Sequence, residues 1–266
     1  VLWAYVFSYA VAILVAVWRA WGHYGALLLD RTVKPVYELR ALLAQSIPQS
    51  FADVLFRVNT WVDVLMLTSM RSFEEVAIYK IATSVALIGL VPANAMNAMF
   101  RPVVAELVYT HQTVRLDALL KAITRWLVLL VTLPFVIVLL LPDLVLVVFR
   151  PEYLAAANAL GILVVGQAIY VSCAPSANVL SMAGHPRREL FNAGAALAIN
   201  LPLNVILIPR LGIEGAAIAS SLSLVVWTLG RVIQARQLVG VTPFSGRTVV
   251  LLAPVVVAAI LGVTVL

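Results

Sequence analysis

Eight long apolar segments constrain this chain more than any other feature of its sequence. Each is close to or longer than the ~20 residues that an α-helix needs to cross the ~30 Å hydrocarbon layer of a bilayer. They are continuous rather than alternating over ~10 residues, which favours helices over the strands of a barrel. They lie at residues 1–18, 41–70, 75–100, 118–141, 154–183, 190–208, 215–232 and 248–266. The sequence therefore predicts an all-α fold, a polytopic membrane helix bundle of about eight transmembrane helices.

The composition agrees with a membrane protein. Hydrophobic residues make up 63% of the chain and charged residues 11%, whereas roughly a quarter of the residues in soluble domains are charged. The chain starts at Val1 without a methionine and stops at Leu266 inside an apolar run, so we expect it to be a piece of a longer protein. Its first segment has no basic leader and is long enough to span, which argues against a signal peptide.

Several kinds of chemistry are excluded by missing patterns. The single cysteine, Cys173, excludes an internal disulfide, and the three histidines have no metal-ligand spacing. The sequence contains no P-loop, and the serines lack a nearby histidine base. We therefore expect no catalytic residue, no metal and no cofactor, and we predict that the protein is not an enzyme.

The basic residues are divided unequally between the loops. Loops after the first, third, fifth and seventh spans carry thirteen Lys and Arg residues, and the other loops carry four. By the positive-inside rule the richer loops face the cytoplasm, so we expect a multi-pass protein of the inner or plasma membrane. This asymmetry explains the net charge of +6 without nucleic acid as a partner. The longest such loop, residues 19–40, is predicted to link two helical lobes.

The second span carries Asp53, Arg57 and Asp63 in its interior. An ionised side chain at the bilayer centre costs at least ~2.5–3.5 kcal/mol, so such residues usually face a cavity or each other. On a helical wheel they share an arc of about 140° with the polar residues of the span. Those residues are Gln45, Ser46, Gln49, Ser50, Thr60 and Thr68. Two interpretations remain open: this face lines a cavity, or Asp53 and Arg57 neutralise each other as an i, i+4 pair.

The third span has a similar polar face. It contains Lys80, Asn94, Asn97 and Arg101, together with Thr83 and Ser84. Asp63 and Lys80 lie at comparable depth, counted at 1.5 Å per residue from the outer ends, so they could pair between the two helices. Arg101 is either part of a lined groove or a side chain that extends to the cytoplasmic interface.

Prolines at positions 48, 92, 134, 175 and 202 each lie within a span. Each frees a helix carbonyl, as in the broken helices of secondary transporters, although ordinary membrane helices are also kinked by proline. Polar residues of the fifth and sixth spans, such as Asn178, Asn200 and Asn204, suit either a cavity or hydrogen bonds between helices. Gly215, Ala219 and Ser223 of the seventh span form a small-residue face that predicts close packing.

Five short motifs resemble the polysaccharide and O-antigen flippases of the multidrug and oligosaccharidyl-lipid exporter superfamily. They cover residues 41–240 in the family's order and spacing. The motifs are Val62-Asp-Val-Leu-Met-Leu67 with Glu75-Val-Ala-Ile-Tyr79, Phe149-Arg-Pro-Glu-Tyr-Leu-Ala-Ala-Ala157, Ser181-Met-Ala-Gly-His-Pro-Arg-Arg188, Asn200-x-x-x-Asn204-x-x-Leu-Ile-Pro209, and Gly212-Ile-Glu-Gly-Ala-Ala-Ile-Ala219. Arg150 stands where the family commonly has glycine.

The resemblance implies a fold of two six-helix lobes with alternating access to a central cavity. Residues 1–18 would be the last helix of the first lobe, 19–40 the cytoplasmic linker, 41–240 the second lobe, and 241–266 an additional terminal helix. The protein would act as a monomer, with membrane lipid as its surroundings. Polysaccharide polymerase and glycosyltransferases of the same pathway would be its partners.

The same resemblance implies that the protein moves an undecaprenyl-pyrophosphate-linked oligosaccharide from the cytoplasmic to the outer leaflet. A pyrophosphate needs cationic partners, and arginine binds it through bidentate hydrogen bonds. We expect Arg57 to be the main substrate-binding residue. The other candidate substrate-binding residues are Gln49, Lys80, Asn94, Asn97 and Arg101, and Asp53 and Asp63 are candidates for ion coupling or counter-charge.

Two other functions remain open. A cation-coupled multidrug exporter of the same superfamily would use an acidic ion site and an apolar, aromatic-lined pocket, although the interior arginine would repel cationic drugs. A non-transporting membrane scaffold subunit would instead use its buried charges as structural pairs. Such a scaffold would tolerate an exchange of Asp53 and Arg57.

Overall fold

The computed structural model describes residues 2–29 and 38–265, and that part of the chain folds as helices without any β-strand. This confirms the predicted all-α bundle. The α-helices are α1 (Leu2–Leu29), α2 (Leu39–Met70), α3 (Phe73–Ala86), α4 (Leu90–Tyr109), α5 (Thr113–Leu140), α6 (Pro142–Val147), α7 (Ala157–Met182), α8 (Pro186–Leu211), α9 (Ile213–Val239) and α10 (Gly246–Val265), and two 3₁₀ segments lie at Leu87–Gly89 and Pro151–Ala156.

The chain divides into two units, Val1–Leu42 and Leu43–Leu266. In the first unit, α1 continues to Leu29, eleven residues beyond the predicted end of the first span. Residues 19–29 of the predicted linker are therefore helical, and α2 begins at Leu39 within the linker's last residues. Residues 30–37 lie outside the described residues. The lobe and linker assignments stay predictions.

Within the part of the chain that the structure describes, five helical segments are long and apolar enough to cross a membrane: Phe73–Tyr109, Thr113–Leu140, Pro151–Met182, Pro186–Leu211 and Ile213–Val239. They match the third to seventh predicted spans and confirm a multi-pass membrane protein. The first, second and eighth predicted spans fall on α1, α2 and α10, and their crossing of the membrane stays a prediction.

The predicted third span is broken in its middle. A 3₁₀ segment, Leu87–Gly89, separates α3 from α4, and Pro92 lies in the first turn of α4. Proline has no backbone N–H to continue the α-helical ladder, so a break at this point has a local cause. Gly89 is buried at the break, where a Cβ atom would overlap the ring of Phe135 on α5. The broken helix therefore also packs closely against its neighbour.

Helix α7 lies at the centre of the second unit and packs against α3, α4, α5 and α9. Its contact with α9 depends on small residues. A Cβ atom on Gly166 would lie 2.9 Å from the Cα of Ser221. Gly215, Ala219 and Ser223 on α9 are all buried, which confirms the predicted packing face. Small residues let the two backbones approach closely, and van der Waals contact between them stabilises the helix pair. The hydrophobic effect contributes little between helices in lipid, because the lipid tails are themselves apolar.

Candidate functional site: a polar cavity and a buried carboxylate

A cavity of about 360 Å³ lies within the second unit, towards the end where α4 turns into α5 and α7 turns into α8. Side chains of α2, α4, α7, α8 and α9 surround it. Its wall contains two cationic and two anionic residues, which are Arg101, Arg231, Asp53 and Glu189. The remaining lining residues are Gln49, Ala52, Phe56, Asn94, Asn97, Tyr170, Ala174, Ala177, Asn178, Ser181, Met182 and Trp227.

The structure brings five of the eight candidate residues to this cavity. They are Gln49, Asp53, Asn94, Asn97 and Arg101. On the α2 side, Gln49 donates its amide N–H to the Asp53 carboxylate over 3.2 Å. Gln49 also accepts a 2.9 Å hydrogen bond from the hydroxyl of Ser181 on α7. The first two turns of the polar face of α2 therefore lie against α7.

Arg101 takes part in a hydrogen-bonded chain on the α4 side of the cavity. Its Nε donates to Oδ1 of Asn178 over 3.0 Å, and the Asn178 amide donates to Oδ1 of Asn97 over 2.7 Å. Of the two interpretations of Arg101, the groove lining matches its position, because the guanidinium is tied to α7. The same contacts place Asn178 in the cavity wall.

The central charge pair of the cavity was missed by the sequence reasoning. The thirteen basic residues assigned to cytoplasmic loops include Arg231, at the end of the seventh predicted span, and this assignment is wrong, because α9 extends to Val239 and Arg231 is 5% exposed inside it. Its Nε lies 3.0 Å from each carboxylate oxygen of Glu189 on α8, and its Nη2 contacts the same carboxylate. The available signal was the position of Arg231 between apolar residues, Leu229 and Val232.

Three aromatic rings surround this pair. The Arg231 guanidinium lies 4.7 Å from the ring centroid of Trp227 and 5.2 Å from that of Tyr170. Trp227 donates its indole N–H to Glu189 over 3.1 Å, and Phe56 of α2 stacks on Tyr170. The ring faces attract the cation through their quadrupoles, so they hold the guanidinium in one plane.

Arg57 lies elsewhere. It sits on an exposed face of α2, beside the exposed side chains of Val58 and Trp61, and is absent from the lining of the cavity. The proposed Asp53–Arg57 pair is wrong for this structure. None of the ion pairs within the described residues joins Asp53 to Arg57, and Asp53 accepts from Gln49 instead.

Lys80 is also outside the cavity lining. Its Nζ lies 4.0 Å from the ring centroid of Trp61, a cation–π contact between α3 and α2. The proposed Asp63–Lys80 pair is not among the ion pairs of the described part of the chain. Asp63 and Lys80 lie at a similar depth in the bundle, but their side chains point in different directions. The Asp63 side chain points towards α8 and α9, and that of Lys80 towards Trp61 of α2.

Asp63 is 2% exposed and lies in a network of neutral hydrogen-bond donors. Its carboxylate accepts from the amides of Asn204 over 2.7 Å and Asn200 over 3.1 Å, and from the Tyr79 hydroxyl over 3.3 Å. The hydroxyl of Ser220 donates to it as well. The carboxylate therefore joins α2, α3, α8 and α9 without a cationic partner in the described residues.

Two amide oxygens in the surroundings of Asp63 are buried without a hydrogen-bond partner in the described structure, Oδ1 of Asn204 and Oδ1 of Asn59. Asn59 reaches the network through Ser223 over 3.4 Å, and Ser223 lies 3.5 Å from the Asn200 amide. A buried acceptor without a donor costs about 1–3 kcal/mol. Such oxygens, beside an uncompensated carboxylate, are ligands that a hard cation prefers.

A second cavity, about 580 Å³ in volume, lies between α5, α6, α7 and α9 and is almost entirely apolar. Its polar lining residues include Asn158 and Glu214, which are joined by a 2.9 Å hydrogen bond. No candidate residue lies in it. The two cavities therefore differ in chemical character: the first is lined by polar and charged residues, and the second by apolar ones.

Comparison with known proteins places these features in a family. Residues 48–206, more than half of the chain, match the model of the MatE family. The chain is also 27% identical over 174 residues to the "Probable low-salt glycan biosynthesis flippase Agl15" of Haloferax volcanii, an alignment covering 64% of this chain and 36% of that protein.

Two solved structures share the fold. One is a MOP superfamily transporter from Pyrococcus furiosus, described as having a binding pocket of reverse polarity that suggests a different function (TM-score 0.61, 16% identity). The other is an outward-facing multidrug resistance MATE family transporter (TM-score 0.55, 17% identity). Each alignment covers 84% of this chain and 52% of the other chain.

The chain thus spans about a third to a half of the length of these relatives. The family match covers the polar face of α2 from Gln49 onwards, the broken α3–α4 segment, the cavity residues of α4 and α7, and the Asn200–Asn204 part of the Asp63 network. On this match, and with a fold shared with MOP superfamily transporters, the chain belongs to the MatE family.

Proposed function

We propose that the protein containing this chain translocates a polyprenyl-pyrophosphate-linked oligosaccharide from the cytoplasmic to the outer leaflet. The observation that carries the proposal is a polar cavity among apolar helices whose wall carries two guanidinium groups, the exposed Arg101 and the buried Arg231. Arginine binds a pyrophosphate through bidentate hydrogen bonds, and the two anionic residues of the wall, Asp53 and Glu189, supply counter-charges when no substrate is bound. The similarity to a probable glycan biosynthesis flippase supports the same substrate class.

The cavity offers different chemistry to the two parts of such a substrate. Arg101 can bind phosphate oxygens in bidentate fashion while its Nε stays on Asn178. The side chains of Gln49, Asn94 and Asn97 carry both donors and acceptors, which suit sugar hydroxyl groups. Arg57 and Lys80 lie on α2 and α3 outside this cavity, and we propose that they contact substrate along the exposed face of α2.

We further propose that Asp63 is the ion-coupling site. Its carboxylate has four neutral donors and no cationic partner in the described structure, and unpartnered amide oxygens lie in the same network. A Na⁺ ion bound there would add the missing charge and tie α2 to α8 and α9. The alternative candidate, Asp53, lies in the cavity wall against Gln49 and is better placed as a counter-charge for the cationic residues.

The cavity lies towards the end of the bundle that carries Arg115, Arg187, Arg188 and Arg236. These residues belong to the basic loops and helix ends that the charge asymmetry assigns to the cytoplasm. We propose that the polar cavity faces the cytoplasmic leaflet in this conformation. A substrate assembled on the cytoplasmic side would then enter it directly.

The test is reconstitution of the full-length protein in liposomes with a fluorescent polyprenyl-pyrophosphate oligosaccharide, followed by quenching of the label in the outer leaflet. We expect Arg101→Gln to slow translocation at least tenfold, the factor for one charge-assisted hydrogen bond. Arg236→Gln is the matched control, because Arg236 is exposed and lies outside the cavity lining. Equal activity of wild type and Arg101→Gln would contradict the proposal.

A multidrug exporter remains the second candidate, favoured by the apolar 580 Å³ cavity and by the structural similarity to a multidrug resistance transporter. The same liposomes, loaded with a fluorescent lipophilic cation, distinguish the two. Cation-driven efflux of the dye without movement of the lipid-linked oligosaccharide would replace the flippase proposal. Movement of neither would favour a scaffold role.

A further inference from the structure

The Glu189–Arg231 pair has a position that stability alone does not account for. Both residues are about nineteen-twentieths buried, with exposures of 4% and 5%, yet both form part of the wall of the polar cavity. A buried ion pair is often no more stabilising than apolar side chains of similar volume. A pair kept beside a cavity, rather than inside the closed core, can exchange partners with a bound ligand.

The guanidinium of Arg231 is oriented before any ligand arrives. Glu189 takes hydrogen bonds from Nε and Nη2, and the rings of Trp227 and Tyr170 lie 4.7 and 5.2 Å from the guanidinium carbon. None of the hydrogen bonds found in the described residues uses Nη1, and the Tyr170 side chain also lies within hydrogen-bonding range of the guanidinium. Preorganised donors lose little conformational entropy when a ligand binds.

Glu189 also has a second donor. The indole N–H of Trp227 contacts Oε1 over 3.1 Å. If Arg231 turns its nitrogens towards another anion, the carboxylate keeps this hydrogen bond, and the exchange does not leave it without a partner. The free-energy cost of separating the pair is therefore reduced at Glu189, whose buried carboxylate would otherwise have no hydrogen-bond donor.

We propose that Arg231 is a phosphate-binding residue of the cavity and that Glu189 is its resident counter-ion, displaced when a phosphate or diphosphate group enters. This deepens the proposed function, on which it rests for the identity of the ligand as a lipid-linked diphosphate. Arg101, on the wall of the same cavity, supplies the second cation that a diphosphate requires. Because Glu189 competes for Arg231, it weakens the bound state and promotes release.

The experiment measures binding of inorganic pyrophosphate to the full-length protein in phosphatidylcholine nanodiscs by calorimetry. Glu189→Gln removes the competing charge and should tighten binding about tenfold or more, while Glu189→Gln/Arg231→Gln should weaken it about 10- to 100-fold relative to wild type. The double variant keeps a neutral hydrogen-bonded pair, so the fold does not have to accommodate an unpaired charge. Arg236→Gln, on the same helix but outside the cavity, should bind as wild type.

Three results would overturn the proposal: no pyrophosphate binding by wild type, unchanged binding by the double variant, or equal loss in Arg236→Gln. Unchanged binding by Glu189→Gln would remove the counter-ion role. A purely structural pair predicts that the double variant binds as wild type does.

The source of the phosphate is distinguished by competition against pyrophosphate. Farnesyl diphosphate, but not phosphatidylglycerol in the nanodisc, should compete if the ligand is a prenyl diphosphate. Competition by phosphatidylglycerol would keep Arg231 as a phosphate-binding residue and assign it to a lipid headgroup. The proposed function is measured by translocation, and this inference is measured by binding. Binding that depends on Arg231 without any translocation would refute only the proposed flippase function. Translocation together with binding that does not depend on Arg231 would refute only this inference.

Discussion

Two buried carboxylates of this chain, Asp63 and Glu189, have different kinds of partner. Asp63 has neutral donors from three other helices and no cation among the described residues. Glu189 has Arg231, held between two aromatic rings on the cavity wall. The first carboxylate therefore has only neutral partners among the described residues, and the second is paired with a cation. The comparison shows that two buried acidic residues of the second unit are stabilised by different kinds of partner, neutral donors at Asp63 and a cation at Glu189.

The largest effect is expected when the balanced pair is broken on one side. Arg231→Gln leaves Glu189 buried with an uncompensated charge, and loss of one partner of a buried pair costs about 3–5 kcal/mol. The midpoint of thermal unfolding of the full-length protein in detergent should fall accordingly. Glu189→Gln/Arg231→Gln should recover most of this loss, and failure to recover would show that Arg231 stabilises the fold through contacts other than the carboxylate.

A smaller effect, dependent on sodium, is expected at Asp63. If a cation completes this site, Na⁺ in place of choline should stabilise the wild-type protein, by about 2.7 kcal/mol at 100 times the dissociation constant. Asp63→Asn should abolish the stabilisation, because the carboxylate charge is removed. Glu189→Gln/Arg231→Gln should retain it, and loss of the sodium effect in both variants would end the distinction between the two carboxylates.

The third prediction concerns the donors of Asp63. Tyr79 is 1% exposed and its hydroxyl lies 3.3 Å from the carboxylate. Tyr79→Phe removes one of the four hydrogen-bond donors to the Asp63 carboxylate. A hydrogen bond to a charged group contributes at most about 1.5–3 kcal/mol to stability. Because the other three donors remain, the expected loss of stability lies in the lower part of that range. Thermal unfolding in choline and in Na⁺ measures it. A larger loss in choline than in Na⁺ is expected, because a bound cation would take over part of the stabilisation.

The smallest effect is expected at Lys80. Its contact is a partly exposed cation–π interaction with Trp61, which is worth about 0.5–1 kcal/mol. Lys80→Gln should therefore shift thermal unfolding only slightly and leave the sodium effect intact. A loss as large as that of Arg231→Gln would mean that Lys80 is the counter-ion of Asp63 after all, and the comparison would no longer hold.

Part of the site could be predicted from local patterns. The polar faces of α2 and α4 were found because residues such as Gln49, Asp53 and Asn97 recur at helical spacing within apolar runs. The pairing of those faces was not predictable. The similar depth of Asp63 and Lys80 in the membrane suggested that they form an ion pair. The rotation of α2 about its axis instead turns Asp63 towards Asn200 and Asn204, which are more than 130 residues away in the sequence.

The Glu189–Arg231 pair shows the same limit. A hydropathy argument treats a lone arginine near the end of an apolar run as a loop residue, because burying it is costly without a partner. Its partner is 42 residues away on another helix. Once the partner is present, the helix continues past Arg231 to Val239.

The sequence by itself determined the helices of this protein, because in lipid each segment must satisfy its backbone hydrogen bonds internally and a long apolar run can do so only as a helix. Proline alone did not determine where a helix breaks: the break lies beside Pro92, whereas Pro48, Pro134, Pro175 and Pro202 lie inside continuous helices. Only the tertiary structure decided which ionised side chains meet, which form the cavity and which stay exposed. The physical reason is that a buried charge is stabilised by partners from other helices, and these are fixed by the rotation and packing of each helix.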